Sequence, residues 1–257
     1  SAEPLYRETI AVQRKLLGNN SLAVATTLHN LAVLLMDQKD YAGAEAAQRE
    51  VLAIRRKALG PDAPDVTQTL HNLASVLRRK GDLAGAERTL LEVLALRRQL
   101  YPNGHPDTAL TLHNLGTLKR DQHENAQAEK YLRECLAMRL KTLPADHSFI
   151  GRGRIELGRV LLAQKAYAEA QAELSEGLRI AQKTADKTYL AHALDGLGDL
   201  QFAQQRYAEA EPFFLKAYEQ YQPLKEPERT QAVKEKLAKL YEAWGKPERA
   251  APFKQQE

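Results

Sequence analysis

Three histidine-asparagine pairs recur along the chain at a fixed interval: His29-Asn30, His71-Asn72 and His113-Asn114 stand 42 residues apart. Imidazoles ligate metals and move protons near neutral pH. A primary amide donates and accepts hydrogen bonds at once, which suits the alternating N–H and C=O groups of an extended peptide. Zinc needs its ligands within about 2.1 Å, whereas side chains repeated on successive packed helices ride on axes about 8 to 10 Å apart. The histidines are therefore expected to recur because a structural module recurs, and no metal or other cofactor is expected. Cys135 is the single cysteine, which excludes an internal disulfide. It shares a column with Val51, Val93, Gly177 and Ala217, the mark of a small packing slot; a nucleophile would need an activating base and exposure. Gly151-Arg152-Gly153-Arg154 lacks the preceding strand and the Lys-Ser/Thr ending of a phosphate loop, and is expected to loosen the entry to a helix. No combination of residues points to catalysis, so the chain is expected not to be an enzyme.

The same period reveals the elements that carry these pairs. Thr27-Leu28-His29-Asn30-Leu31-Ala32 is repeated at Thr69 to Ala74 and Thr111 to Gly116, and continues as Leu157-Gly158, Leu197-Gly198 and Leu237-Ala238, where the interval shortens to 40 residues. Twelve residues further on lies a second column, Ala44, Ala86, Ala128, Ala170, Ala210 and Ala250. Small residues on two consecutive helices let their backbones approach, as a tight helix hairpin requires. The columns Leu31/Leu73/Leu115/Leu157 and Leu34/Val76/Leu118/Val160 lie three residues apart, the spacing of one helical face. Turn signals at Lys39-Asp40, Gly81-Asp82 and Gly245-Lys246 fall within hairpins. Gly60-Pro61-Asp62-Ala63-Pro64 and Pro102-Asn103-Gly104-His105-Pro106 fall between repeats, and Pro64 and Pro106 suit the first turn of a helix. Straight side chains dominate over β-branched ones, favouring helix throughout.

The expected organisation is one all-α solenoid. Residues 1–20 form the second helix of a truncated repeat; 21–62, 63–104 and 105–146 are 42-residue repeats; 147–187 and 188–227 are degenerate repeats; and 228–257 is a terminal capping repeat. Ala2-Glu3 to Leu17 aligns with the second helix that starts near Ala44-Glu45, so a first helix is expected to have been lost ahead of it. A last helix from Ala250, closing in Lys254-Gln255-Gln256-Glu257, is expected to cap the other end.

At these columns the chain resembles the tetratricopeptide repeat proteins. The 42-residue period with Leu-His-Asn-Leu-Ala and His105-Pro106-Asp107 is similar to the long-helix repeats of kinesin light chains and their bacterial relatives. The resemblance covers essentially the whole chain and is strongest in the first three repeats; beyond Pro144 the asparagine column becomes Glu156, Gly196 and Lys236. It implies a right-handed superhelical solenoid of antiparallel helix hairpins. It further implies binding of a peptide or protein partner in a concave groove lined by first helices, with Asn30, Asn72 and Asn114 in a column that hydrogen-bonds the ligand.

Projecting the first-helix columns inward gives His29, Val33, Met36 and Asp37, then His71, Ser75, Arg78 and Arg79, then His113, Thr117, Arg120 and Asp121, then Arg152, Glu156 and Arg159. The groove is thus expected to be basic in its middle, at Arg78, Arg79, Arg120, Arg152 and Arg159. Asp195, Asp199, Glu235 and Glu242, set against Lys236 and Lys239, should make its C-terminal end acidic. Such polarity favours one direction of an acidic segment. The competing reading is of solvated helix faces, with Arg120 neutralised by Asp121 and Arg159 by Glu156. Arg55-Arg56-Lys57, Arg97-Arg98 and Arg139-Leu140-Lys141 recur near the ends of second helices, where cations favour the negative end of the helix dipole.

The leading functional expectation is an interaction scaffold for a protein or peptide, with a sensory or regulatory domain of a larger protein as the alternative. The net charge of +4 arises from 37 basic and 33 acidic residues, and no aromatic platform for bases interleaves with the cations, so nucleic acid is not expected. No apolar run reaches the roughly 18 to 20 residues that span a bilayer; a cytoplasmic protein without membrane insertion is expected. The alanine- and arginine-rich, cysteine-poor composition suggests a bacterial source.

Overall fold

The computed structural model describes residues 2–224 and 226–254, which form helices and short 3-10 turns without a strand among them. First helices begin at residues able to hold an N-terminus. Ser21 Oγ accepts from the Ala23 N–H, Asp186 Oδ1 from that of Tyr189, and the Nδ1 atoms of His105 and His147 from those of Asp107 and Phe149. Pro64 and Pro106 open their helices.

Each hairpin turns on one residue with positive φ: Lys39, Gly81, His123, Lys165, Gln205 and Gly245. The N–H of the next residue reaches back five positions to a helix carbonyl at Asp40, Asp82, Ala166, Arg206 and Lys246, which is the Schellman closure of a helix C-terminus. All six alanines of the second-helix column are fully buried.

Packing divides the chain into two compact units, residues 1–122 and 123–257. The first contains α1 (Glu3–Leu17), α2 (Leu22–Asp37), α3 (Tyr41–Leu59), α4 (Pro64–Lys80), α5 (Leu83–Leu100) and α6 (Pro106–Asp121). Leu28, Leu31 and Leu35 of α2 pack with Ala44, Ala47, Val51 and Ile54 of α3 and with Ile10 of α1, each large side chain contributing about 1.5 to 3 kcal/mol of burial.

The second unit contains α7 (Asn125–Thr142), α8 (Ser148–Ala163), α9 (Tyr167–Lys183), α10 (Lys187–Ala203), α11 (Tyr207–Tyr221), α12 (Pro227–Ala243) and the short α13 (Pro247–Ala250). Its helices meet at glycines. A Cβ on Gly158 would lie 2.7 Å from Leu174 Cγ, and one on Gly198 would lie 2.5 Å from Phe214 Cδ1. The glycines of Gly151-Arg152-Gly153-Arg154 correct one expectation: they sit inside α8, buried, with Gly151 closed against Ile180. Gly151 admits the neighbouring helix α9, and the pair lies within α8 instead of loosening its entry. The last element differs as well, since Ala250 ends α13 and a 3-10 turn, Ala251–Phe253, follows; Gln255, Gln256 and Glu257 lie outside the described residues. Cys135 is buried. Phe214, Tyr221 and Tyr241 are buried in the C-terminal core, with Phe213 and Trp244 packed against it.

Candidate functional site

In the first unit, helical periodicity aligns four columns of α2, α4 and α6 into one stripe: Thr26/Gln68/Leu110, Asn30/Asn72/Asn114, Val33/Ser75/Thr117 and Asp37/Arg79/Asp121. Asn30, Val33, Asp37, Gln68, Arg79 and Asp121 are exposed, and Asn72, Ser75 and Asn114 are half-buried. The asparagines therefore reach solvent on the first-helix face.

The histidines lie beneath it. His29 is half-buried, whereas His71 and His113 are only 6% and 1% exposed. This corrects the expected place of His71 and His113 among ligand-facing groups: one residue of helix is about 100° of rotation, enough to turn them into the packing between helices. Gln48 Nε2 donates to His29 Nδ1 at 3.1 Å, and His71 Nε2 lies 3.1 Å from Asn114 Nδ2, joining one repeat to the next. Burial and the Arg97 guanidinium pull the His71 pKa down to about 4 against the opposing Asp107; burial and Arg55 also lower that of His29. The His71 ring is thus neutral near pH 7.

Arg55 and Arg97 do more than face a helix dipole. Arg55 Nη1 donates to Thr69 Oγ1 at 2.8 Å and the Asp65 carbonyl at 3.3 Å. Arg97 Nη1 donates to Thr111 Oγ1 and the Asp107 carbonyl, both at 2.7 Å. In the second unit Arg139 Nη1 donates to the Phe149 carbonyl at 2.7 Å. Each clamps the start of the following first helix. For Arg55 and Arg97 the readable signal is an arginine followed fourteen residues later by threonine, with Gln13 and Thr27 bonded in the same register at 2.9 Å; Arg139 has Gly153 at that place. Arg97 Nη2 also reaches Gln68 Oε1 at 3.3 Å, and Gln68 Nε2 donates to Asn72 Oδ1 at 3.2 Å.

The expected basic stretch is largely neutralised. Arg78 bonds Asp121 through Nε at 3.1 Å and through Nη2, and Thr117 Oγ1 through Nη1 at 3.2 Å. Arg120 meets the other oxygen of Asp121 at 3.0 Å. Arg79 stays exposed.

Arg152 and Arg159 stand on α8 of the second unit. Arg152 lies over the Tyr189 ring at 5.2 Å. Arg159 donates to Asp195 of α10 at 3.0 Å, while Lys236 of α12 bonds Asp195 at 2.6 Å and Asp199 at 2.7 Å. Asp195 and Asp199 of the acidic end expected there are taken up by these bonds, while Glu235 and Glu242 stay exposed, and Arg159 pairs across helices to Asp195. Burial opposes ionisation of Asp195, yet Arg159 and Lys236 outweigh it and hold the carboxyl below the usual range. Burial and Asp195 push the Asp199 carboxyl upward. His192, 7% exposed, lies edge-on to Tyr189; burial, Arg229 and Arg159 bring its pKa down to about 4.

The tetratricopeptide repeat model matches residues 1–57, 23–99, 65–141 and 151–223. The chain belongs to the tetratricopeptide repeat family. Members of this family generally serve as protein-protein interaction scaffolds and are typically non-enzymatic. Among solved structures, a Podosopora anserina protein classed with the kinesin light chains, built of nearly identical TPR-like repeats, is 25% identical. It covers 72% of this chain and 87% of its own at a TM-score of 0.64. The apo form of RapI is 18% identical over 96% of this chain and 86% of its own, with a TM-score of 0.79. A Rap protein complexed with Competence and Sporulation Factor is 17% identical over 96% and 70%, with a TM-score of 0.63. These last two likenesses are of fold. Comparison with curated proteins returns no match. Among the described residues, no cluster of His, Cys, Asp or Glu is placed to hold a metal, and no helix is long and apolar enough to cross a membrane.

Proposed function

We propose that the first-helix face of the first unit binds an extended segment of a partner protein, with an acidic group of that segment near Arg79 and Arg120. The observation that carries this reading is the stripe itself: Asn30, Asn72 and Asn114 recur in one register and all reach the surface. Amides repeated along a face match the backbone of an extended chain without demanding a sequence. Arg79 is exposed, and Arg120 shares Asp121 with Arg78, so this face keeps cations within reach of an incoming acid. Arg152 and Arg159, on α8 of the second unit, are a separate and weaker candidate locus, since Arg159 is already bonded to Asp195. Beneath the stripe His71 holds Asn114, and His29 is held by Gln48. A protein of this fold solved with Competence and Sporulation Factor supports peptide capture by such repeats. The scaffold works on protein segments, without catalysis and without nucleic acid.

The test is a screen of disordered peptides against wild type and an Asn72→Ala/Asn114→Ala variant of equal thermal midpoint. Acidic hits should weaken by about tenfold or more in the variant, the cost of roughly one to two hydrogen bonds, and again in Arg79→Glu/Arg120→Glu. Hits indifferent to both variants place the binding elsewhere.

A further inference from the structure

Two polar groups on this face, Gln68 and Asn72, and a buried arginine of α5 beneath them form a relay whose direction is set by chemistry. A guanidinium carries five N–H donors and no acceptor. Arg97 is 1% exposed and anchored through Nη1 to Thr111 and the Asp107 carbonyl, so its Nη2 has a fixed place 3.3 Å from the Gln68 side chain. Only the oxygen end of the Gln68 amide can receive that bond. Its NH2 end therefore faces Asn72, and an NH2 can only donate, so it meets Asn72 Oδ1 at 3.2 Å. The Asn72 amide is thereby turned with its carbonyl occupied and its NH2 directed away from Gln68. No equivalent exists in the flanking repeats, where Thr26 and Leu110 stand in the Gln68 column and Asn114 is held by His71 instead.

We propose that Arg97 and Gln68 are positioning residues that make Asn72 a hydrogen-bond donor, so that the bound segment presents an acceptor at this point, a backbone carbonyl or a carboxylate. The inference rests on this face being a peptide site and adds the polarity of its second repeat. The relay selects among chemical groups: a carbonyl or carboxylate completes the bond, whereas an N–H donor meets an N–H donor and both lose their water partners without replacement.

The experiment reads the side-chain NH2 resonances of Asn72 in the 15N-labelled full chain, titrated with acetate, an acceptor-only probe, and with methylammonium, a donor-only probe, against matched sodium chloride. In wild type the Asn72 NH2 signals should shift saturably with acetate and stay still with methylammonium. Gln68→Glu keeps a partner for Arg97 but can no longer donate to Asn72. The Asn72 amide should flip, one of its Nδ2 protons should move downfield on bonding the introduced carboxylate, and the acetate response should vanish. Gln68→Leu should erase the preference between probes. Unchanged Asn72 signals and an unchanged acetate response in Gln68→Glu overturn the relay. Peptides that bind with affinity sensitive to Asn72→Ala but insensitive to Gln68→Glu also overturn it, while leaving the peptide site standing. A flip in Gln68→Glu with no peptide bound by any variant keeps the relay and removes the peptide site.

Discussion

The first-helix faces of the two units use one helical frame in opposite ways. In the first unit the face carries amides, Asn30, Asn72 and Asn114, over half-buried and buried imidazoles, and the amides reach water. In the second unit the same column reads Glu156, Gly196 and Lys236, and charges link α8, α10 and α12: Arg159 to Asp195, and Lys236 to Asp195 and Asp199. Asp195 and Gly196 are buried. The small-residue column does not separate the units, reading Ala32, Ala74 and Gly116 in the first and Gly158, Gly198 and Ala238 in the second; what differs is the charge beside it. A repeat thus exposes its inner face when the column residues are short and neutral, and spends it on the fold when charges there pair from helix to helix.

The sharpest way to break this comparison is to remove one acid from each face. Asp195→Ala leaves Arg159 and Lys236 sharing fewer carboxylates in a partly buried setting, and should cost about 3 to 5 kcal/mol, as uncompensated buried charge does. Asp121→Ala removes the partner of Arg78 and Arg120, whose side chains remain 35% and 28% exposed; water should hold that cost to about 1 kcal/mol or less. Urea unfolding of the two variants measures both. Equal losses would mean that the second unit's network is no more structural than the first unit's ion pairs.

Acid probes both units at once. His71 and His192 each have a folded pKa near 4 against an ordinary value of 6.5, with burial the leading cause. A depressed pKa means that the unfolded chain takes up the proton first. The stability contributed by the neutral ring is present above pH about 6.5 and is lost as the pH falls toward 4. The upper figure is about 3 kcal/mol for each ring, from about 1.4 kcal/mol per pKa unit. Stability measured from pH 7 to 4.5 should fall, and His71→Gln and His192→Gln should each flatten the slope. A profile unchanged in His71→Gln would show that His71 stays solvated, and with it that the first unit's face is looser than its packing indicates.

The frame was legible in the residues, because a hairpin needs small residues in column and the alanines and glycines stand there in register. The asparagine stripe was legible for the same reason. Charge was not. Arg78 bonds Asp121 and Arg159 bonds Asp195, partners 43 and 36 residues away, one repeat on but offset along the helix. Local neighbours such as Asp121 beside Arg120 suggest only half of that pairing. The arginine clamp was in plain view at fourteen-residue spacing to threonine, yet cations near a helix end also satisfy the dipole, so position alone does not separate the two. His71 and His113 lie beneath the surface by one step of helical rotation, a difference that a polar, amphipathic ring does not reveal by its type.

The smallest effect tests the part in which the units should not differ. Lys39 turns a hairpin in the first unit and Lys165 one in the second, at φ of 63° and 64°, a conformation that costs a side-chain-bearing residue about 1 kcal/mol. Gly81 and Gly245 fill the same position elsewhere in the two units. Glycine at either lysine removes the steric cost but restores freedom to the unfolded chain, which offsets part of the gain. Lys39→Gly and Lys165→Gly should therefore each stabilise by about 0.5 kcal/mol, and by the same amount within error in thermal unfolding. A gain in one unit and a loss in the other would mean that the lysine side chains act at the turns, and that the units diverge in their frame as well as in their faces.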